Sequence, residues 1–223
     1  MSDRYWPLFD LRLTTPDLTL RPMTEADLGI VSDLLPDDVD LDPSATRYGL
    51  ADGRTERGVI VHQSYWKAFG SWSQAKWRLN FVVHADGGLV GLQELEGKDF
   101  LTLRTVDSSS FLIPQARGRG IGKQMRTAVL ALAFNKMGAQ AAITSAYQDN
   151  QQSLGVSRAL GYRPNGESFE TRDDGVDLMV HLRMTKADWE AGGLGREVTI
   201  NGFDPCRQFF GLEMPTGSVQ SSP

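Results

Sequence analysis

The chain has 223 residues, of which 40% are apolar and 23% charged, with a formal net charge of -5 and a pI near 5.2. That length suits one domain with extensions and is enough for a real core, while the acidic balance argues against nucleic acid or an anionic membrane as a bulk partner. A single cysteine, Cys206, excludes a disulfide framework or a cysteine-built metal site within one chain. The start, MSDRYWPLFDLRL, lacks the basic-then-apolar pattern of a signal peptide. No apolar run approaches the roughly 20 residues a membrane span needs. A reducing cytoplasm is the expected location.

LTLRPM (18–23) alternates and reads as a strand. TEADLGIVSDLL follows as a helix, with Thr24 as N-cap and Ile30 and Leu34 on one face. PDDVDLD (36–42) is acidic and turn-like. The stretch from Arg57 to Trp77 is rich in Trp and Tyr and reads as helical or irregular. RLNFVVHA and LVGLQELE are strands joined by Asp86-Gly87-Gly88, a hairpin signal. VDSSSFLIP is a further strand with Ser109, Phe111 and Ile113 on one face, ended by Pro114. Ile121, Met125, Val129 and Leu132 then form the apolar stripe of a helix, closed by Gly138. AAITSAY is a strand. Asp149 or Asn150 caps the helix NQQSLGVSRAL, which stops at Gly161, and GVDLMVHLRMT supplies a late strand. This order gives an α/β fold with a mixed sheet, mainly hairpin-connected but with a helical crossover in the middle. MPTGSVQSSP is a polar, flexible tail.

The chemistry concentrates in PQARGRGIGKQMR (114–126), where Arg117, Arg119, Lys123 and Arg126 crowd an otherwise acidic chain. A strand ends and a helix starts there, so unpaired N–H groups and the positive end of the helix dipole face one spot. Gly118, Gly120 and Gly122 let the backbone approach a ligand. A phosphate or diphosphate satisfies these demands together; a turn that merely connects strand to helix is the alternative. A P-loop fails because Gln124 follows Lys123 and Arg stands at 117, and a dinucleotide fingerprint fails because Lys123 takes its third glycine.

The remaining pattern, Q-x-x-G-x-G through Gln115, Gly118 and Gly120, resembles the coenzyme A loop of the GCN5-related N-acyltransferases (GNAT). The order of strand, loop, helix, strand and Asn-led helix resembles that family too, as does LTLRPMTEADL at the start. DNQQSLGVSRALGYR is similar to a segment of its ribosomal-protein alanine acetyltransferase branch. WPLFDLRLTTPDLTL and NGFDPCRQFFG resemble a subgroup described as succinyl-CoA transferases.

The resemblance implies one domain over residues 10–190, with a C-terminal extension at 191–213 packed on the domain or a dimer partner, and a flexible tail at 214–223. It implies a mostly antiparallel twisted sheet, helices on both faces, and splayed fourth and fifth strands. The substrates implied are acetyl-CoA or succinyl-CoA and a small-molecule or protein amine, with direct attack and no metal. Backbone groups of Phe111, Leu112 and Ile113 would line pantetheine, and amides of Arg117, Gly118, Arg119, Gly120, Ile121, Gly122 and Lys123 would wrap the diphosphate. Asp107 stands where the branch has a catalytic Glu; a solvated turn residue is its alternative. Ser153 matches the serine beside the thiolate, as acid or hydrogen-bond donor, and otherwise is an ordinary first-turn serine. Asn150 would bond pantetheine or serve only as N-cap. Tyr147 is a second candidate acid, and His62, His84 and His181 are weaker alternatives as base or pocket wall. A coenzyme A-binding sensor or scaffold without catalysis and an antibiotic-modifying enzyme are the alternative functions.

Overall fold

The computed structural model describes residues 4–41, 45–50, 52–172 and 175–214. Short strands β1 (Arg12–Thr14) and β2 (Thr19–Pro22) precede helices α1 (Leu28–Leu34) and α2 (Gly53–Gly70). The long hairpin of β3 (Lys76–Ala85) and β4 (Gly88–Lys98) follows, then α3 (Phe100–Leu103), β5 (Thr105–Asp107) and β6 (Ser110–Leu112). Helix α4 (Ile121–Ala131) runs into a π-helical turn, Leu132–Met137. The remainder comprises β7 (Ala141–Tyr147), α5 (Gln151–Ala159), β8 (Arg163–Arg172), β9 (Gly175–Thr185), α6 (Lys186–Ala191) and β10 (Thr199–Asn201).

One sheet runs β10-β1-β2-β3-β4-β5-β7-β9-β8, with β6 paired to β4 off that path. The β5–β7 pair is parallel and the other pairs are antiparallel. The fold is thus mixed α/β with a mostly antiparallel sheet. Alternation along β3 divides the core. Leu79, Phe81 and Val83 pack with Ile121, Met125 and Val129 of α4, while Val82 packs with Met23, Leu28, Val31 and Tyr65 from the α1–α2 side. Helices therefore cover both faces.

Local chemistry explains most element ends. Asp86 and Gly87 both have positive φ (50° and 79°), the two-residue turn that suits the twist of a hairpin. Gly138, at φ 76°, ends the α4 segment. Before α1, Thr24 donates through N and Oγ1 to Asp27 Oδ2, both at 2.8 Å. The apolar face of α1 differs from the expected one: Ile30 is exposed, and Leu28 and Val31 are buried. The 3-10 turn Glu25–Asp27 precedes the helix and shifts its phase. The aromatic stretch from Arg57 to Trp77 resolves into α2 and the start of β3, so Trp77 is a strand residue.

The extension set apart at 191–213 enters the sheet, since β10 pairs β1 through Arg12↔Asn201 and Leu13↔Ile200. Beyond it, Trp72 Nε1 donates to Phe209 O (3.0 Å), and the buried Phe210 ring meets Trp72 and Trp77 edge-on at 5.5 and 5.0 Å. Beyond Met214 the expected tail lies outside the described residues, as does Asp42 of the acidic loop.

Asp27 anchors the α1 side. Burial alone would raise its pKa, but a two-pronged ion pair with Arg21 (2.6 and 2.8 Å) and the Thr24 bonds outweigh that and lower it to about 2. The stabilisation is present above pH 4 and is lost as pH falls through about 2. Asp27→Asn should cost about 2 kcal/mol at pH 7. The deficit should shrink in urea melts repeated towards pH 2; an equal deficit at both ends would mean that charge is not its source.

Candidate active site

The glycine loop has the form its sequence implies. After β6, Pro114–Ala116 makes a single 3-10 turn. Gly118 and Gly120 adopt φ of 72° and 79°, a left-handed conformation that L side chains resist. Gly120 is the N-cap of α4. The first main-chain bonds inside the helix are Lys123 N and Gln124 N to Gly120 O, both 3.1 Å. Among the described residues, the N–H groups of residues 118–122 have no acceptor. A Cβ placed on Gly118 or Gly120 would meet no protein atom within 4 Å, so the loop is open on the side of these two glycines. Five uncommitted donors, a helix N-terminus and open space fit a diphosphate.

The cations of the loop are arranged differently from the sequence reading. Arg117 grips Asp38 of the α1–α2 loop with both terminal nitrogens (2.5 and 2.8 Å), and its Nε donates to Leu112 O (3.0 Å). Arg119 pairs with Asp86 of the β3–β4 turn at 2.7 Å. Lys123 is exposed and has no ion pair among the described residues. Exposed pairs of this kind are worth at most about 1 kcal/mol, so a diphosphate could compete for both arginines. As they stand, their charge is locally balanced.

Next to the loop the sheet splits. The expected single strand VDSSSFLIP is two, broken at Ser108 and Ser109. β5 bridges β4 and β7 as far as Asp107↔Ile143, whereas among the described residues β6 pairs β4 alone. A gap therefore opens between β6 and β7 beyond Asp107. Several residues hold the break open. The buried Gln93 amide donates to Ser109 O (2.9 Å) and Glu94 O (3.0 Å), and Thr144 Oγ1 donates to Ser108 O (3.0 Å). Gly91 lets β6 come close: a Cβ there would lie 2.3 Å from Phe111 O.

The register also settles which backbone groups face the gap. Ile113 N donates to Val90 O, Glu94 N donates to Ser109 O, and Phe111 pairs Leu92 between them. Main-chain groups alternate direction along a strand. Phe111 and Ile113 therefore turn theirs toward β4, contrary to the pantetheine-lining role expected of them. Leu112 N–H faces the gap, while its carbonyl oxygen is held by Arg117.

Asp107 sits where the split begins. Desolvation by burial raises its pKa to about 6, helped by Glu96 and opposed by the Ser108 N–H (2.6 Å), Arg126 and Arg78. Cross-strand register puts Arg78, Glu96 and Asp107 in one row, and Arg78 pairs with Glu96 at 2.6 Å. Glu94 lies on the same face and accepts from Ser109 Oγ at 2.6 Å. A carboxyl group titrating near 6 is mostly ionised at pH 7 and can still hold a proton, which suits a general base. It is not a solvated turn residue.

Across the gap, Asn150 Oδ1 accepts from Ser153 N (3.0 Å), so Asn150 caps α5. The half-buried Ser153 hydroxyl has no hydrogen-bond partner among the described residues. Tyr147 is committed elsewhere: its hydroxyl donates to Thr171 O (3.2 Å), and Arg172 lies over its ring at 4.5 Å. Arg172 in turn gathers Asp40, Asp149 and Asp177.

The histidines do not converge on the gap. His181 bonds Ser168 Oγ (2.8 Å), His62 bonds Gly58 O (2.8 Å), and His84 lies opposite Thr19 near the end of β3, with burial pushing its pKa down. Gln93, Thr144 and Gly91 carried no expectation of a place at this site, and Arg126, counted among the loop cations, is instead buried and bonded to Ser157 and Ser110. Arg126 alone carried a signal, a charge inside an apolar helical stripe.

A sheet that splits beside an amide-lined helix start can seat an extended, diphosphate-bearing ligand. Comparison with known families agrees. Residues 17–163 match the acetyltransferase (GNAT) domain, and the chain belongs to that family. Among similar solved structures is the spermidine N-acetyltransferase of Vibrio cholerae in complex with CoA and spermine, with a TM-score of 0.59, 16% identity, and coverage of 78% of this chain and 98% of that one. A T. thermophilus protein described as an acetyltransferase matches with a TM-score of 0.65, 16% identity, and coverage of 81% and 92%. A Vibrio cholerae protein described as a ribosomal-protein-serine acetyltransferase matches with a TM-score of 0.60, 13% identity, and coverage of 79% and 98%. At these identities the likeness is one of fold.

Proposed function

We propose that the protein moves an acetyl or succinyl group from coenzyme A to a primary amine by direct attack in the gap between β6 and β7. The observation that carries this reading is the position of Asp107, a half-buried carboxyl group with its pKa raised to about 6, at the point where the sheet splits beside the open amides of residues 118–122. Those amides would hold the diphosphate, and Leu112 N–H is the backbone donor available to the thioester oxygen. When bound, the thioester supplies an activated acyl carbon.

Asp107 takes the proton from the attacking ammonium or amine, directly or through one water. The new N–C bond forms as the C–S bond breaks, and Ser153 hydrogen-bonds the departing sulfur or gives it a proton. Aspartate is one methylene shorter than glutamate, which favours the water relay. Glu94, on the same sheet face as Asp107, favours a cationic acceptor, while Glu96 is already paired with Arg78. A polyamine is a reasonable first probe, given the spermine complex among the similar folds. Acetyl is the family's usual donor, and succinyl rests on the subgroup resemblance. The reading extends to a cytoplasmic enzyme and a homodimer. For the latter the support is the outer edge of β8, unpaired among the described residues, with Phe169 and, across the hairpin, Val176 exposed.

Release of free thiol from acetyl-CoA and succinyl-CoA, measured with a panel of amines, tests the function. Turnover with one donor supports it; tight coenzyme A binding with no turnover for any pair would favour the sensor or scaffold reading. Ser153→Ala should slow turnover about tenfold, and more for poor leaving thiols than for good ones. Equal loss for both would remove the acid role.

A further inference from the structure

The acidic loop between α1 and α2 is held by arginines at three places. Arg57 of α2 donates through Nη2 to Pro36 O (2.6 Å) and Val39 O (2.9 Å). Asp38 accepts both terminal nitrogens of Arg117, at 2.5 and 2.8 Å, and Asp40 accepts Arg172 Nε at 3.0 Å. Arg117 and Arg172 stand on opposite walls of the gap. Arg117 Nε donates to Leu112 O at the end of β6 (3.0 Å), and Arg172 lies 4.5 Å over the ring of Tyr147, the last residue of β7. Val39, between the two aspartates, packs against the cluster that contains Phe111 of β6 and Val82 of β3. The segment from Asp38 to Asp40 thus ties the end of β6 to the end of β7, on the sheet face that α1 and α2 cover.

The fastenings are unequal. Arg172 also pairs with Asp149 (2.8 Å) and Asp177 (3.2 Å), so its place does not depend on Asp40. Arg57 holds backbone carbonyls, which no anion displaces. Arg117 has one ion pair among the described residues, to the mostly exposed Asp38, and an exposed pair of this kind is weak. Arg117 also stands immediately before the uncommitted amides of residues 118–122. A diphosphate seated on those amides brings more negative charge to the guanidinium than Asp38 carries. It also repels the Asp38 carboxylate across a short distance. Of the three fastenings, the one on the β6 wall is therefore the one a ligand can release.

We propose that residues 36–40 form a strap over the gap, latched to the β6 wall by the Asp38–Arg117 pair, and that a diphosphate on the loop amides takes over Arg117 and releases the latch. The inference rests on those amides being the diphosphate site. Asp38→Asn removes the competing charge at an exposed position and leaves the other two fastenings intact. Calorimetry should show coenzyme A binding this variant up to about fivefold more tightly than wild type, the gain open to an exposed pair that no longer competes. Inorganic diphosphate should show the same gain. Asp40→Asn, on the far wall, should leave both affinities within about twofold of wild type. A second readout follows the latch itself. Arg117 holds the Asp38 carboxyl group below the usual carboxylate range. Its carbon-13 NMR titration in wild type should move upward when coenzyme A is added, because a cation leaves and an anion arrives. Affinity unchanged or weakened in Asp38→Asn, or an Asp38 titration unmoved by bound coenzyme A, would overturn the latch while leaving the diphosphate site standing. If wild type binds neither coenzyme A nor inorganic diphosphate, the site itself is wrongly assigned, and the latch falls with it.

Discussion

Asp107→Asn should cut kcat by about 10²- to 10⁴-fold while changing coenzyme A affinity less than about threefold, because the carboxylate acts on the amine and not on the carrier. The acid limb of the wild-type profile should fall near pH 6, where Asp107 takes up its proton, and should vanish in the variant. Stability should change in the opposite direction. A carboxyl group whose pKa is raised on folding favours the fold most below its unfolded pKa and loses that contribution as pH rises through its folded value, here about 6. Ionised Asp107 therefore costs the native state about 3 kcal/mol above pH 7 as an upper estimate. Asparagine keeps an oxygen for the Ser108 N–H and carries no charge. The variant should resist urea better than wild type at pH 8 and match it near pH 4. Wild-type turnover across pH would remove Asp107 from the mechanism; unchanged stability would mean that its carboxylate is solvated in solution.

The second large effect belongs to Gly120. Gly120→Leu should weaken coenzyme A binding by about 100-fold or more, since a side chain there enters the space before the loop amides. The left-handed φ of 79° adds a backbone penalty of about 1–2 kcal/mol. Gly138 provides a matched control: it has φ of 76°, nothing within 4 Å of an added Cβ, and a place at the far end of the same helical segment. Gly138→Leu should lose similar stability and keep its affinity. Calorimetry on the two variants separates a ligand-facing glycine from a merely conformational one. Equal affinities would count against the loop assignment.

What the sequence disclosed was mostly local. Pro114, Gly118 and Gly120 punctuate the chain, and Asn150 caps its own helix, so the loop and both flanking helices could be read directly. What it hid depended on distant partners. VDSSSFLIP alternates like one strand, and its break depends on Gly91, Gln93 and Thr144, which lie on other strands. The charges of Arg117 and Arg119 are balanced by Asp38 and Asp86, far away in the chain. RPNGESFETR contains Pro and Gly and little apolar alternation, so it gave no strand signal, yet it forms the edge strand β8 against β9. The three-residue strands β1 and β10 are too short to show a period. The desolvation of Asp107 is a tertiary property with no local signature.

The central claim is that main-chain amides at the start of α4 grip the diphosphate of an acyl carrier. A crystal structure with bound coenzyme A tests it most directly. Diphosphate oxygens should lie about 2.7–3.2 Å from amides between Gly118 and Lys123, with the pantetheine arm entering the gap beside Leu112. A diphosphate bound elsewhere on the protein, with those amides left to solvent, would contradict it.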